Sequence, residues 1–188
     1  MAKPPLTAGP APTAATLREA ALAHLARFGT TRAGLLRVLQ RRIERWARLA
    51  GPDADTAPSR AAAAAVVAKL AELGAVDDAA YAASRARSLG RAGRSRRATL
   101  AHLRTKGVAA ETATAATPDD PDAERAAALA FARRRRFGPF RTSEPDEKTT
   151  HRELGAMARA GFSQEVARAA LATHPDEAEA LVIALKQS

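Results

Sequence analysis

The chain has 188 residues, no cysteine, and 30 Lys and Arg residues against 20 Asp and Glu, which gives a formal net charge of +10 at neutral pH. The lack of cysteine excludes disulfide scaffolds and thiolate chemistry, and no apolar run approaches the roughly 18–20 residues that cross a membrane. Alanine contributes 51 residues and the larger apolar types only 36, so the chain is either largely unfolded or built from thin, Ala-rich helices.

Helical spacing of the apolar residues recurs along the chain, whereas the alternation typical of strands is absent. Residues 1–15, rich in Pro, Ala and Thr, predict a flexible tail without the apolar segment of a secretory signal. Gly, Pro, Asp and Ser stand where helices are expected to end or begin. The predicted helices cover residues 16–28, 32–49, 59–73, 78–89, 95–106, 109–116, 121–136, 147–160, 164–173 and 175–186.

An internal repeat organises these helices. The pattern Leu103-x-x-x-Gly107-Val108 recurs as Met157-x-x-x-Gly161-Phe162, 54 positions later. In both places a helix ends at Gly, an apolar residue folds back on the turn, and a short Ala-rich helix follows. The sequence therefore predicts three tandem three-helix units and a C-terminal helix, an array in which a thin core suffices because only neighbours need contact. The predicted segments are 16–74, 77–117, 120–173 and 174–188.

No residue set for catalysis, a metal or a cofactor is present. The four histidines are scattered, and neither a phosphate-binding Gly-rich loop nor a nucleophile motif occurs. The paired carboxylates Asp77 and Asp78 stand at a predicted helix start, where capping is the usual role. Gly90-Arg-Ala-Gly93 fits an interhelix turn better than the Gly-x-x-Gly loop of KH domains, since no strand surrounds it. Trp46 and Tyr81 lie in apolar helical stripes, which favours packing over base stacking.

Two basic segments are the informative feature. No acidic residue compensates the first, between Ala79 and Ala110, and the second contains four consecutive arginines. Arginine forks pair with phosphate and equally with carboxylate, so the partner is either a nucleic acid or an acidic protein surface. A solvated helix face is the alternative, and for Arg37, Arg41, Arg45 and Arg48 the two interpretations stay balanced. The candidate binding residues are Arg85, Arg87, Arg91, Arg94, Arg96, Arg97, Arg104, Lys106, Arg133, Arg134, Arg135, Arg136 and Arg141.

A set of motifs lies close together between residues 73 and 108. They are Leu73-Gly-Ala-Val-Asp-Asp-Ala-Ala-Tyr-Ala82, the Ser84-Arg-Ala-Arg-Ser88 helix, the basic Gly turn, and Leu100-x-x-Leu-x-x-Lys-Gly-Val108. Together they resemble the RecX family, and softer similarity extends over residues 17–173. The resemblance implies an all-α fold of three tandem three-helix repeats in an elongated, curved array.

The same resemblance implies a function. RecX proteins regulate the bacterial recombinase RecA: they bind in the groove of the RecA–single-strand DNA filament, inhibit ATP hydrolysis and strand exchange, and can promote filament disassembly. They are not enzymes. The expected partners are thus the RecA nucleoprotein filament and single-strand DNA, with no membrane, and the expected state is a cytoplasmic monomer. A basic DNA-binding module of helix-turn-helix type is the alternative, since three-helix units and basic helices suit both.

Overall fold

The structure, a computed structural model, describes residues 8–144 and 146–187. Within these ranges the regular elements are ten α-helices and a 3₁₀ turn at Gly138–Phe140, with no strand, which confirms the all-α prediction. The helices are α1 (Ala14–Leu25), α2 (Arg32–Ala50), α3 (Ala57–Glu72), α4 (Asp78–Arg91), α5 (Arg96–Thr105), α6 (Ala110–Ala115), α7 (Pro121–Arg135), α8 (Glu147–Arg159), α9 (Gln164–Leu171) and α10 (Pro175–Gln187).

The chain divides into two compact units. The first unit comprises Met1–Tyr81 and Lys106–Val108, and the second unit comprises Ala82–Thr105 and Ala109–Ser188. The finer division into three helical repeats stays a prediction.

The first unit is a bundle of α1, α2 and α3, each of which packs on the other two. Its core is a set of apolar side chains at helical spacing on the three inner faces. Burying a Leu or Ile side chain contributes about 1.5–3 kcal/mol, so a few such residues per helix suffice for the bundle. The fully buried large side chains are Leu17, Leu35, Leu39 and Ile43.

In the second unit, α7 forms the centre, with α9 and α10 packed against it. Seven consecutive residues, from Ala126 to Ala132, are buried, so this helix is enclosed on every side. Five of them are alanines, which let neighbouring helices approach closely. The Ala-rich composition therefore produces a closely packed core here, together with Leu129, Phe131 and Met157.

Short polar side chains begin the helices, as the sequence predicts. Thr13 caps α1 in a capping box with Thr16, so the helix begins two residues before the predicted start at 16. Asp120 caps α7, and its side chain accepts hydrogen bonds from the amides of Asp122 and Ala123. Residues 1–7 of the predicted tail lie outside the described residues. Nearer α1, the Gly9 carbonyl accepts a hydrogen bond from Trp46 Nε1 at 2.8 Å.

The paired carboxylates are caps, which confirms their structural interpretation. Asp77 Oδ1 accepts hydrogen bonds from the amides of Ala79 and Ala80, at 2.8 and 2.9 Å, at the start of α4. Asp78 Oδ1 accepts one from the Arg32 amide at 2.8 Å, at the start of α2. Both carboxylates thus satisfy helix amides that would otherwise lack a partner.

Candidate interaction surface

Each of the two basic segments contains the end of a helix, and the local sequence determines where that helix ends. Gly93 ends α4 with φ +70°, and the Arg94 amide closes the turn on the Leu89 carbonyl at 3.0 Å. Arg136 ends α7 with φ +56°, and the Phe137 amide closes that turn on the Ala132 carbonyl at 2.9 Å. At both helix ends the chain therefore leaves the helix through a tight left-handed turn that has arginines beside it.

These turns bring the two segments together around a groove of about 410 Å³ in the second unit, here called the Arg94 groove. Four arginines from three parts of the chain line it, with an apolar floor and no acidic residue. Arginine stays charged at any physiological pH, so the groove concentrates positive charge. Its lining residues are Gly93, Arg94, Phe131, Arg134, Arg135, Ala156, Arg159 and Ala160.

Phe131 positions two of these arginines. Its ring is 8% exposed, and the guanidinium carbons of Arg134 and Arg135 lie 5.9 and 5.5 Å from its centroid. Such cation–π contacts hold a guanidinium without neutralising it. Within the part of the chain that the structure describes, neither arginine forms an ion pair, and the same holds for Arg94 and Arg159. The groove therefore presents positive charge that no acidic side chain of the described residues pairs with.

A second cavity of about 230 Å³ adjoins the same turn and shares Arg94 with the groove. Arg87 and Arg91 line it together with mainly apolar surface, and the acidic residues Asp120 and Glu124 are also part of its lining. Partial burial raises the pKa of Glu124 above its usual value, although the Arg96 amide and charge act to lower it. This cavity offers an apolar pocket beside the cationic groove.

Four predicted binding residues are engaged inside the fold. Arg85 Nε contacts His102 Nε2 at 3.2 Å, and Arg96 Nε donates to the Thr117 carbonyl at 2.8 Å. The two others form ion pairs: Arg133 with Glu179 on α10 at 2.7 Å, and Arg141 with Glu153 at 2.6 Å. The two ion pairs neutralise arginine charge within the protein, and all four side chains are engaged by other residues of the chain, so these four residues are not part of the proposed surface.

The remaining predicted residues lie outside the groove. Arg97 lines a different cavity that also contains Asp119, Asp122, Glu124 and Glu165, so its surroundings are mixed in charge. Arg104 and Arg136 are exposed. Lys106 belongs to the first unit, where its carbonyl accepts a hydrogen bond from the Thr31 hydroxyl at 2.6 Å. Their role in partner binding stays a prediction.

Arg159 is the groove residue that the sequence analysis misses. It ends α8 as the basic residue of the last turn, a placement that ordinarily complements the helix dipole. Its guanidinium nitrogen would lie 3.4 Å from a β-carbon on Gly155, so it runs along its own helix. A lone arginine carries no clustering signal, and only the packing of α8 brings it to the groove.

Gly93 is expected to be indispensable for this arrangement. An added β-carbon would lie 2.7 Å from the Phe131 amide nitrogen and 3.0 Å from the Ala130 carbonyl carbon, both backbone atoms of α7. Because of these close contacts and the positive φ of residue 93, Gly93→Ala should lower the free energy of unfolding by about 2 kcal/mol or more. Urea denaturation measures this change. Gly90→Ala is the matched control, because nothing lies within 4 Å of its added carbon. Equal stability of the two variants would contradict this packing.

Two kinds of feature are absent from the described residues. Residues 8–144 and 146–187 contain no group of three or more His, Asp or Glu side chains that could hold a metal ion. No helix in these ranges combines the length and apolar character needed to cross a membrane.

Comparisons with known proteins agree on one family. A family model described as "RecX, second three-helix domain" matches residues 77–116. A regulatory protein RecX from Myxococcus xanthus is 40% identical over 162 residues, covering 85% of this chain and 86% of that protein. A regulatory protein RecX from Agrobacterium fabrum is 46% identical over 74 residues, which span 39% of each protein.

A solved structure shares the fold. The crystal structure of a regulatory protein RecX superposes with a TM-score of 0.62 at 21% identity, covering 81% of this chain and 68% of that one. The fold and the groove define an all-α protein that presents a cluster of unpaired arginines. The match to the Myxococcus protein is more specific, because it extends over most of both chains. It shows that the chain belongs to the RecX family of regulatory proteins.

Proposed function

We propose that this chain is a non-enzymatic regulator of RecA, mainly an inhibitor. It binds the RecA–single-strand DNA filament in the cytoplasm and slows RecA's ATP hydrolysis and strand exchange during recombination, DNA repair and the SOS response. Membership of the RecX family supports this function. The observation that carries it is the Arg94 groove, in which Arg94, Arg134, Arg135 and Arg159 meet without an acidic neighbour in its lining.

The proposed mechanism is electrostatic and steric. Guanidinium forks in the groove pair with carboxylates on the filament's surface or with phosphates of its DNA, and each such charge-assisted hydrogen bond is stronger than a neutral one. The adjoining cavity accepts an apolar side chain beside those anions. A filament held in this way cannot complete the conformational change that accompanies ATP hydrolysis, so turnover falls without any chemistry by the bound protein.

The direct test is RecA's ATPase on single-strand DNA, titrated with the full chain. Hydrolysis is expected to fall saturably, and strand exchange to fall over the same concentrations. Uninhibited hydrolysis at saturating protein would contradict the proposal. Tight binding to bare duplex DNA with a steep salt dependence, and no effect on RecA, would instead support the helix-turn-helix alternative.

A further inference from the structure

A second basic groove lies in the first unit, between α1 and α2, and has a volume of about 640 Å³. Four arginines line it (Arg27, Arg41, Arg42 and Arg45), and no acidic residue does. All four are exposed, and within residues 8–144 and 146–187 none of them forms an ion pair. This charge is therefore available to an anionic ligand.

What distinguishes this groove is an exposed aromatic ring. Phe28 also lines the groove and is 52% exposed, although burying such a side chain would be favourable by about 1.5–3 kcal/mol. Its backbone is held just beyond the end of α1, because its amide donates to the His24 carbonyl at 3.0 Å. The Phe28 ring lies 5.2 Å from the His24 ring and 5.4 Å from the Arg27 guanidinium carbon.

We infer that this groove binds single-strand DNA directly, with Phe28 as a stacking platform for a base and the surrounding arginines as phosphate ligands. Proteins that bind single strands without sequence preference combine these two elements, a cationic groove along the backbone and aromatic faces for the bases. Arg41 and Arg45 are one helical turn apart on α2, roughly 6 Å along its axis, so they present two cations in a row beside the ring. Duplex DNA offers no unstacked base to Phe28, and an acidic protein segment needs no aromatic face.

Single-strand DNA binding by this groove is tested without RecA, so its outcome is independent of the test of RecA inhibition. The full chain is titrated against fluorescently labelled oligo-dT and against an abasic strand of equal length, with binding followed by anisotropy at two salt concentrations. Phe28→Ala should weaken oligo-dT binding at least about fivefold, the lower end of what one stacked base contributes. It should leave abasic binding unchanged, and Phe28→Tyr should restore oligo-dT binding. Arg41→Glu/Arg45→Glu should weaken both ligands.

Three results would overturn the inference. Unchanged oligo-dT affinity in Phe28→Ala would mean that the ring takes no part, and equal loss on both strands would mean that the variant acts on the phosphate contacts or the fold. Urea denaturation checks that Phe28→Ala is folded, as expected for a residue exposed by half. Loss of RecA inhibition with intact oligo-dT affinity would assign the groove to a protein partner and would also contradict it.

Discussion

Reversing Arg94, Arg134 and Arg135 to glutamate is expected to weaken inhibition of RecA's DNA-dependent ATPase strongly. The three guanidinium groups line one groove, and within the described residues none of them has an ion-pair partner whose loss would disturb the fold. Each reversal turns an attraction for an anionic surface into a repulsion. Half-maximal inhibition should require at least about tenfold more protein, which corresponds to only 1.4 kcal/mol of binding.

The matched control changes the same net charge elsewhere in the second unit. Lys148, Arg152 and Arg168 are exposed on α8 and α9 and do not line the groove. Their reversal to glutamate should leave inhibition within about twofold of wild type at physiological salt, where the Debye length of about 8 Å screens distant charges. If both triple variants lose inhibition equally, overall charge rather than the groove is responsible. If the groove variant inhibits fully while folded, the proposed surface is wrong.

Replacing Glu153 by alanine is expected to be among the most destabilising single changes in the second unit. The Glu153 side chain is 3% exposed, and its Oε2 accepts hydrogen bonds from Arg141 at 2.6 Å and from the Gly138 amide at 3.1 Å. Removing it leaves a largely buried guanidinium and a buried amide unsatisfied. Loss of one partner of a buried pair costs about 3–5 kcal/mol, to be measured as a decrease in the free energy of unfolding in urea.

Two further variants separate the buried pair from general effects of removing a carboxylate. Glu165→Ala, at an exposed position on α9, should change stability by less than about 0.5 kcal/mol. The double variant Glu153→Leu/Arg141→Met replaces the pair with apolar side chains and should recover most of the loss, because no unpaired charge remains. A stability of Glu153→Ala close to that of wild type would contradict the described role of this pair.

The helical fold could be predicted because its signals are local. Apolar spacing, caps such as Asp120 and Ser163, and glycine stops at Gly107 and Gly161 each act within a few residues of sequence. The incorrectly predicted helix ends also have local causes. Helix α1 ends at Leu25 rather than at 28, and the chain there tightens into a turn in which the Arg27 amide donates to the His24 carbonyl, three residues back. That turn places Phe28 at the surface, which spacing alone did not reveal.

The binding surface could be predicted only in part, because clustering in sequence differs from clustering in space. Arg94, Arg134 and Arg135 were recognisable as members of uncompensated runs. Arg141 pairs with Glu153 because α8 packs close to the 3₁₀ turn, and no local sequence pattern specifies this packing. Arg159 reaches the groove for the same tertiary reason. In this chain the uncompensated runs identified the region, and packing decided which guanidinium groups remain free.

Because the chain contains no cysteine, a single introduced cysteine can report directly whether the Arg94 groove contacts RecA or its DNA. A single cysteine introduced as Arg134→Cys carries a short photo-crosslinker into the Arg94 groove, and Arg168→Cys carries the same reagent on α9. With RecA filaments on single-strand DNA and ATP, the label at 134 is predicted to crosslink to RecA or its DNA, and the label at 168 to crosslink little. Crosslinking from 168 alone, or from neither position while the labelled proteins still inhibit RecA, would contradict binding through the Arg94 groove.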